Sequence, residues 1–395
     1  MKLKKEHYII FTIIITEVLG LTLIIPFLPL FAKDLGASPL IIGLILMSFS
    51  FFQFFTSPIL GKLSDHFGRK PLLIITQIST CISFLILGYA NTIWLLLLSR
   101  IVDGLFGSNL VIARAYLTDI TTKKDRSKAF GLSNAAYAFG FMLGPGIGGF
   151  LANLTPLSFR LPSLIAAGIS FITILFTIFF IKETVKKKKK IKISFNIFPF
   201  ASILKYLKNV NVSLLLIQLF LLSFGNSIAF ETFALFANMH LGLSALVIGY
   251  ILVYLSILAV LINGIFISKL INYLGEMKLK NISQFFFLIG LIIVAFSKNT
   301  FVLLLGLTIY MIGGMTTTIL MGEISRRISN KEQGEILGVQ TSLRGITEII
   351  GPLVGGFMLN YFIPNYLILV AAFFAFIGLL INFISNRNIH SLNPK

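Results

Sequence analysis

Long apolar runs separated by short polar stretches set the layout of this chain. Runs long enough to cross a bilayer fall at about 8–31, 41–60, 72–90, 93–118, 129–152, 161–181, 210–236, 246–267, 282–297, 301–323, 336–360 and 366–385. Twelve crossings place both ends of the chain on one side of a membrane. The first run follows Lys2, Lys4 and Lys5 and so mimics a signal peptide. It is too long for one, contains Glu17, Pro26 and Pro29, and lacks a small-residue cleavage site. It reads as a retained membrane helix. The pattern predicts an all-α membrane protein.

The polar breaks decide orientation. Of the 33 Lys and Arg, 27 fall in the two tails and in the loops that share their side, and only Lys33, Arg160 and Lys298 fall opposite. By the positive-inside rule both termini are expected in the cytoplasm of a cell whose inner membrane holds the protein. The longest polar segment, 183–209, divides six runs from six and contains Lys186–Lys190. A basic stretch beside a membrane is expected to stay solvated and to attract anionic headgroups. The expected organisation is therefore a bundle at 1–182, a linker at 183–209, and a second bundle with a short tail at 210–395.

The two halves repeat. LFAKDLGASPLIIG at 30–43 matches LFANMHLGLSALVIG at 235–249, pairing Gly36 with Gly242 and Gly43 with Gly249. GPGIGG at 144–149 matches GPLVGG at 351–356 at an offset of 207, and Gly131 pairs with Gly338 at that offset. An internal repeat of half the chain implies two similar six-helix bundles, a plan common to many transporters.

Composition narrows the function. The 395 residues are 56% hydrophobic and 12% charged, with a mean hydropathy of +0.95. The net charge of +19 is accounted for by topology, so nucleic acid is not an expected partner. A single Cys81 excludes an internal disulfide, and His7, His66, His240 and His390 are too scattered for a metal site. No nucleotide-binding glycine loop, zinc spacing or serine elbow is present, so neither an enzyme nor a cofactor is expected.

Three stretches carry chemistry. In Gly131–Gly149, the glycines Gly140, Gly144 and Gly148 step by four and share one helix face, which lets another backbone come close in lipid. Pro145 loosens the helix there. Between runs two and three stands GKLSDHFGRKPLL, Gly61–Leu73. Here Gly61 and Gly68 permit a turn, Asp65 is negative, and Arg69 and Lys70 are positive. In run four, Arg100, Asp103, Gly107 and Arg114 fall within about 60° of one another on a continuous helix. Charges inside a bilayer are costly and usually face a bundle interior or a water-filled cavity. Arg100 and Asp103, three apart, can pair with each other, either as a structural pair or as part of a proton-coupling site. Glu17 in run one has no basic residue in its own span, and an uncompensated intramembrane carboxylate is a natural proton carrier. In the second half, Arg344 and Glu348 are four apart on run eleven and Glu231 lies late in run seven. These three and Arg114 are candidates to line a cavity.

The full spacing of Gly131, Gly140, Gly144–Pro145, Gly148 and Gly149 resembles, without departure, the fifth-helix motif of drug:H+ antiporters in the major facilitator superfamily. Gly61–Lys70 resembles the superfamily's loop signature, with His66 replacing the usual arginine. That resemblance implies a cytoplasmic latch, in which Arg69 pairs with Asp119 and Asp65 faces the N-terminal end of helix eleven near Gly338. The second-half loop has Asn272 where Asp65 would be, so the latch is expected on one side only. Arg100 and Gly104 resemble the fourth-helix motif associated with proton transfer, with Asp103 a departure from it. Gly20, Pro26 and Pro29 resemble the first-helix motif, and tetracycline-efflux relatives carry an acid at the position of Glu17. The resemblance covers nearly the whole chain. It implies a twelve-helix, monomeric transporter that expels a small amphipathic compound such as tetracycline in exchange for protons. A metabolite exporter or symporter, and a non-transporting sensor on the same fold, are the alternatives.

Overall fold

In the computed structural model, the described residues are 5–154, 159–185, 200–210, 212–329 and 332–392. The Lys186–Lys190 cluster lies outside them. Twelve long helices follow in order: α1 Lys5–Asp34, α2 Pro39–Phe67, α3 Arg69–Gly88, α4 Ile93–Ile120, α5 Arg126–Asn153 and α6 Arg160–Phe180. After a short helix at Phe200–Leu207, the linker helix, come α7 Ser213–Glu231 with its continuation Phe233–Leu241, α8 Ala245–Leu274 and α9 Glu276–Ala295. Helices α10 Thr300–Arg326, α11 Gln333–Tyr361 and α12 Pro364–Leu392 complete the chain. No strand occurs among the described residues.

Eleven of the twelve are long and apolar enough to cross a membrane. Helix α11 is as long, at 29 residues, but its composition is diluted by Arg344, Glu348 and a run of glycines. It is the twelfth crossing that the apolar pattern predicts at 336–360.

The chain forms two compact units, one of Met1–Ile197 with Leu243–Ser256 and one of Phe198–Gly242 with Ile257–Lys395. In the first, α1 packs on α5 and α6, while α3 packs on α4 and α6. In the second, α7 packs on α11 and α12, while α9 packs on α10 and α12. The repeat thus extends from sequence to packing. Even the irregularities recur: α4 breaks at Gly107–Ser108 and α10 at Gly314, and Pro145 in α5 matches Pro352 in α11.

Burial follows helical periodicity. Along α1, Ile10, Ile13, Ile14, Glu17 and Val18 are all buried, so the acid sits on the inward stripe. That stripe meets Leu72 and Leu73 of α3, Ile112 and Tyr116 of α4 and Ala136 of α5. Helix α3 buries an unusual set for a membrane span: Thr76, Gln77, Thr80 and Ser83 alongside Phe84 and Leu87. Polar side chains on an inward stripe must find partners within the bundle, because lipid offers none.

Candidate functional site

Those partners form one continuous relay across α1, α3 and α4. Asn109 Nδ2 donates to Glu17 Oε2 at 2.8 Å and to Thr80 Oγ1 at 3.0 Å. Thr80 Oγ1 in turn donates to Asp103 Oδ1 at 2.8 Å. Asp103 Oδ2 stands 3.6 Å from Arg100 Nη1, an ion pair too long for a direct hydrogen bond. Arg100 is held further by Ser83 Oγ at 2.8 Å, by Ser99 Oγ at 3.3 Å and by the Phe49 ring, whose centroid lies 5.9 Å away. Glu17, Arg100 and Asp103 are 4%, 2% and 1% exposed, so the whole relay is sealed from bulk solvent. At 1.5 Å per residue, Glu17 lies about 18 Å along α1, near the middle of a bilayer of about 30 Å.

The two acids are held differently. Asp103 has a cation beside it and a hydroxyl donating to it. Glu17 has one amide donor, and its Oε1 is buried with no hydrogen-bond donor on it among the described residues. Gln77 flanks the same carboxyl, outside hydrogen-bond geometry. The charge of Asp103 is therefore largely compensated within the bundle, and a charge on Glu17 is not.

The break in α4 places Asn109. At Gly107 the helical run ends, and Ser108 starts a new one whose first residue is Asn109. The carbonyl groups freed there are taken by α2: Gln53 Nε2 donates to Gly107 O at 3.2 Å and Thr56 Oγ1 to Gly104 O at 2.9 Å. Ser57 and Ser108 hydroxyls share a further hydrogen bond of 2.9 Å. The break also corrects the continuous-helix expectation for Arg114. Its side chain is exposed and donates to Asn134 Oδ1 of α5 at 3.3 Å, apart from Arg100 and Asp103.

Helix α5 meets α1 through its glycines. A Cβ on Gly140 would lie 2.8 Å from Ile15 O, on Gly144 1.9 Å from Thr22 Oγ1, and on Gly148 2.0 Å from Leu23 O. The shared face thus rests directly on the helix that carries Glu17. Gly149 lies on a different side, where a Cβ would meet Ala245 O at 2.6 Å, in the part of α8 that belongs to the first unit. Gly131 has open space around it. Helix α5 continues unbroken through Pro145.

At the turn between α2 and α3, Arg69 Nε donates to Asp119 Oδ2 at 3.0 Å and a second guanidinium nitrogen pairs with Asp65. Gly68 adopts φ +113° there, and a Cβ on it would strike the carboxylate of Glu183. Glu183 accepts from the backbone N–H of Arg69 at 3.0 Å and of Lys70 at 3.1 Å, capping α3. Lys70 Nζ reaches Ile178 O at 2.6 Å, and the Thr184 hydroxyl donates to Asp119. Gly61 O faces Arg69 Nη1 at 3.5 Å.

The second half holds an ion pair at the matching place. Glu276, the first residue of α9, pairs with Arg326 at the end of α10. Both are offset by 207 from Arg69 and Asp119, with the charges exchanged. Lys280 Nζ adds a 2.7 Å bond to Glu323, which Arg327 also holds at 2.5 Å. Within the second unit, Arg344 Nε donates to Glu348 Oε1 at 2.8 Å, and Glu231 faces this pair. Arg344 is 74% exposed and Glu348 37%, while Glu231 is half-buried behind them.

The sequence reading misses Asn109, Thr80, Ser83 and Glu183. The signal for two of them, Thr80 and Ser83, was present: polar residues at 76, 77, 80 and 83 recur at helical spacing inside an apolar run, which marks an inward polar stripe.

The model of the family described as Major Facilitator Superfamily matches residues 10–346. Multidrug resistance protein 2 of Bacillus subtilis (strain 168) is 32% identical over 387 residues, covering 95% of this chain and 94% of that protein. Tetracycline resistance protein, class H, of Pasteurella multocida is 27% identical over 364 residues, covering 91% and 90%. Among solved structures, a bacterial homologue of the human lysosomal transporter Spinster, inward-facing and unoccupied, superposes with a TM-score of 0.80 at 14% identity. That superposition covers 96% of each chain and shows the shared fold.

Proposed function

We propose that this chain, which belongs to the Major Facilitator Superfamily, exports a small amphipathic drug-like compound in exchange for protons. The observation that carries this reading is the sealed relay from Glu17 through Asn109 and Thr80 to Asp103 and Arg100. The names of its relatives, a multidrug and a tetracycline resistance protein, support drugs as the substrate class. The geometry supports an order of roles. Glu17 binds and releases the coupling proton, because of the two acids of the relay it is the one with no cation beside it. Asp103 stays charged beside Arg100, and Asn109 with Thr80 links the two acids so that a proton on one alters the hydrogen bonds of the other.

In this scheme the bundles at 1–182 and 210–395 alternate between facing inward and outward, and the proton and substrate bias the two states by binding them unequally. The glycine face of α5 keeps α1 within backbone contact as α1 shifts. The Asp65–Arg69–Asp119 cluster is the latch of the first half, at the cytoplasmic side of the cell membrane with both termini. Arg114, Arg344 and Glu348 lie on open faces, with Glu231 half-buried near the last two, where a zwitterionic substrate would meet them.

Transport in inverted membrane vesicles with an imposed proton gradient tests this. Tetracycline or a cationic dye added to wild-type vesicles is expected to release protons, and Glu17→Gln is expected to abolish the release while leaving the protein in the membrane. Proton release equal to wild type in Glu17→Gln would remove Glu17 from the scheme.

A further inference from the structure

Beside the relay, three buried polar atoms lack a hydrogen-bond partner among the described residues: Glu17 Oε1, Gln77 Nε2 and Gln77 Oε1. Gln77 is 0% exposed, sits one helical turn before Thr80 on α3, and flanks the Glu17 carboxyl. Buried polar groups are normally paired, and an amide with both ends open beside an acid with one oxygen open calls for a reason.

Counting hydrogens leaves Gln77 as the donor for Glu17 Oε1. Both hydrogens of Asn109 Nδ2 are in use, one on Glu17 Oε2 at 2.8 Å and one on Thr80 Oγ1 at 3.0 Å. The single hydrogen of the Thr80 hydroxyl goes to Asp103 Oδ1 at 2.8 Å. The Cys81 thiol, the titratable group of α3 near Glu17, donates to Ala167 O at 3.5 Å. The Thr16 hydroxyl donates to carbonyls of its own helix, and Arg100 donates to Ser83 and Ser99 and pairs with Asp103. Asn109 Oδ1 is unpaired as well, but that amide cannot turn without giving up both of its bonds. The Gln77 amide gives up none whichever way it turns, and the terminal torsion of glutamine is close to two-fold. Its backbone is tied instead, with Gln77 O accepting from Ser170 Oγ of α6 at 3.5 Å.

We propose that Gln77 is a two-way positioning residue for the coupling proton. Its Oε1 accepts from the Glu17 carboxyl while Glu17 is protonated, and its amide turns to donate from Nε2 to Glu17 Oε1 once the proton has left. The O–H bond at Glu17 Oε1 is the covalent bond that forms and breaks, and Gln77 neither gains nor loses a proton. Because Asn109 donates to Oε2, the proton is steered to Oε1. Asp103 keeps Arg100 and Thr80 as partners in both states. One rotating amide thereby satisfies the buried carboxyl with its proton and without it, so neither state leaves an oxygen unpaired. This inference rests on the reading of Glu17 as the proton carrier and on no particular substrate.

Infrared difference spectra of the purified full chain between acid and alkaline pH test this without any substrate. The carboxylic C=O band of protonated Glu17 is identified by its absence in Glu17→Gln. With it, a change in a glutamine side-chain amide band is expected, lost in Glu17→Gln and lost again in Gln77→Met, which keeps the length of the side chain. A Glu17 band with the amide bands unmoved would overturn the inference and leave Glu17 as the proton carrier. An amide change that persists in Gln77→Met would belong to another glutamine and overturn it equally. No Glu17 band in the wild type would remove the reading beneath the inference, and the inference with it. Gln77→Leu is the second variant, and it decides the matter if Gln77→Met fails to fold.

Discussion

At the scale of single residues, the relay is a set of buried polar groups whose cost is met only while every partner is present. Thr80 is the link most open to a clean test, because Thr80→Val keeps its shape and removes the hydroxyl. The substitution leaves Asp103 Oδ1 without its donor and Asn109 with one acceptor fewer. Leaving a buried acceptor unpaired costs about 1–3 kcal/mol. The expected outcome is a loss of stability of that order in detergent thermal unfolding, together with a shifted pH profile of transport. An unchanged pH profile with lowered stability would reduce Thr80 to a structural role. Asp103→Asn is expected to be worse than Thr80→Val, since it leaves Arg100 charged and unpaired, a loss of about 3–5 kcal/mol for a broken buried pair. These residues also mark what the sequence carried and what it did not. Glu17 and the Arg100–Asp103 pair were readable, because a charge in an apolar run is conspicuous. Asn109 was not, because its place depends on a helix break at Gly107 that turns it toward α1, and spacing on a continuous helix assigns it elsewhere.

At the scale of elements, close packing in lipid comes from backbone approach, and the α1–α5 contact shows where a side chain cannot be added. Gly148→Ala is expected to force α1 and α5 apart, since its Cβ would meet the backbone carbonyl of Leu23 at 2.0 Å. Gly131→Ala, with open space around it, is expected to be silent. Membrane expression and thermal stability of the two variants check this contrast, and equal behaviour would contradict it. The shared face of Gly140, Gly144 and Gly148 was fully readable from the spacing.

The two ion-paired turns differ more subtly. Arg69 sits at the positive end of α3 and Asp119 at the negative end of α4, so each opposes the helix dipole and depends on the other and on Glu183. Glu276 and Arg326 occupy the same places with each charge favouring its own helix. Double-mutant cycles with Arg69→Gln and Asp119→Asn are expected to show a coupling of about 1 kcal/mol or more. Glu276→Gln with Arg326→Gln is expected to be nearly additive, in the range of exposed pairs at about 0.2–1 kcal/mol. Equal couplings would contradict the distinction. Asn272 at the place of Asp65 pointed to a latch on one side only, and the ion pair in the second turn was hidden because neither of its charges matches the first-half pattern.

At the same scale, the linker helix Phe200–Leu207 is clamped to the start of α11, where Lys205 Nζ donates to Glu335 at 2.8 Å and to Glu332 at 3.0 Å. Its hydrogen bond from Lys205 holds Glu332 and Glu335 below the usual glutamate range, and Glu335 holds Lys205 above the usual lysine range. The carboxylates contribute stability above their ordinary value of 4.5 and lose it as pH falls through their depressed values. Lys205 contributes below its ordinary value of 10.5 and loses its part as pH rises through its raised value. The clamp is therefore constant between about pH 5 and pH 10. Glu335→Gln is expected to leave the pH profile of transport unchanged across that window.

At the scale of the whole molecule, one repeat unit was used twice for different ends. The offset of 207 carries breaks, prolines and packing partners from the first half to the second, and the sequence showed it through its glycines. Chemistry did not follow. Gln284, Tyr310 and Thr316 stand where Gln77, Asp103 and Asn109 stand in the first half, and Phe224 stands for Glu17. Neither acid of the first-half relay has an acid at the matching place: Tyr310, in place of Asp103, bonds to Asn226, Phe224 stands in place of Glu17, and Gln284 bonds to Gln218 at 2.8 Å. The proposed proton exchange accordingly belongs to the first half, where Glu17 of α1 lies on the helix that the glycine face of α5 contacts.

The measurement that bears most directly on this is proton release on substrate binding, followed with a pH-indicating dye in weakly buffered solution of the purified protein. If Glu17 holds the exchanged proton, saturating substrate releases a proton from the wild type and none from Glu17→Gln, while Asp103→Asn still releases one. Release from Glu17→Gln equal to that of the wild type would place the proton elsewhere and contradict the role assigned to the relay.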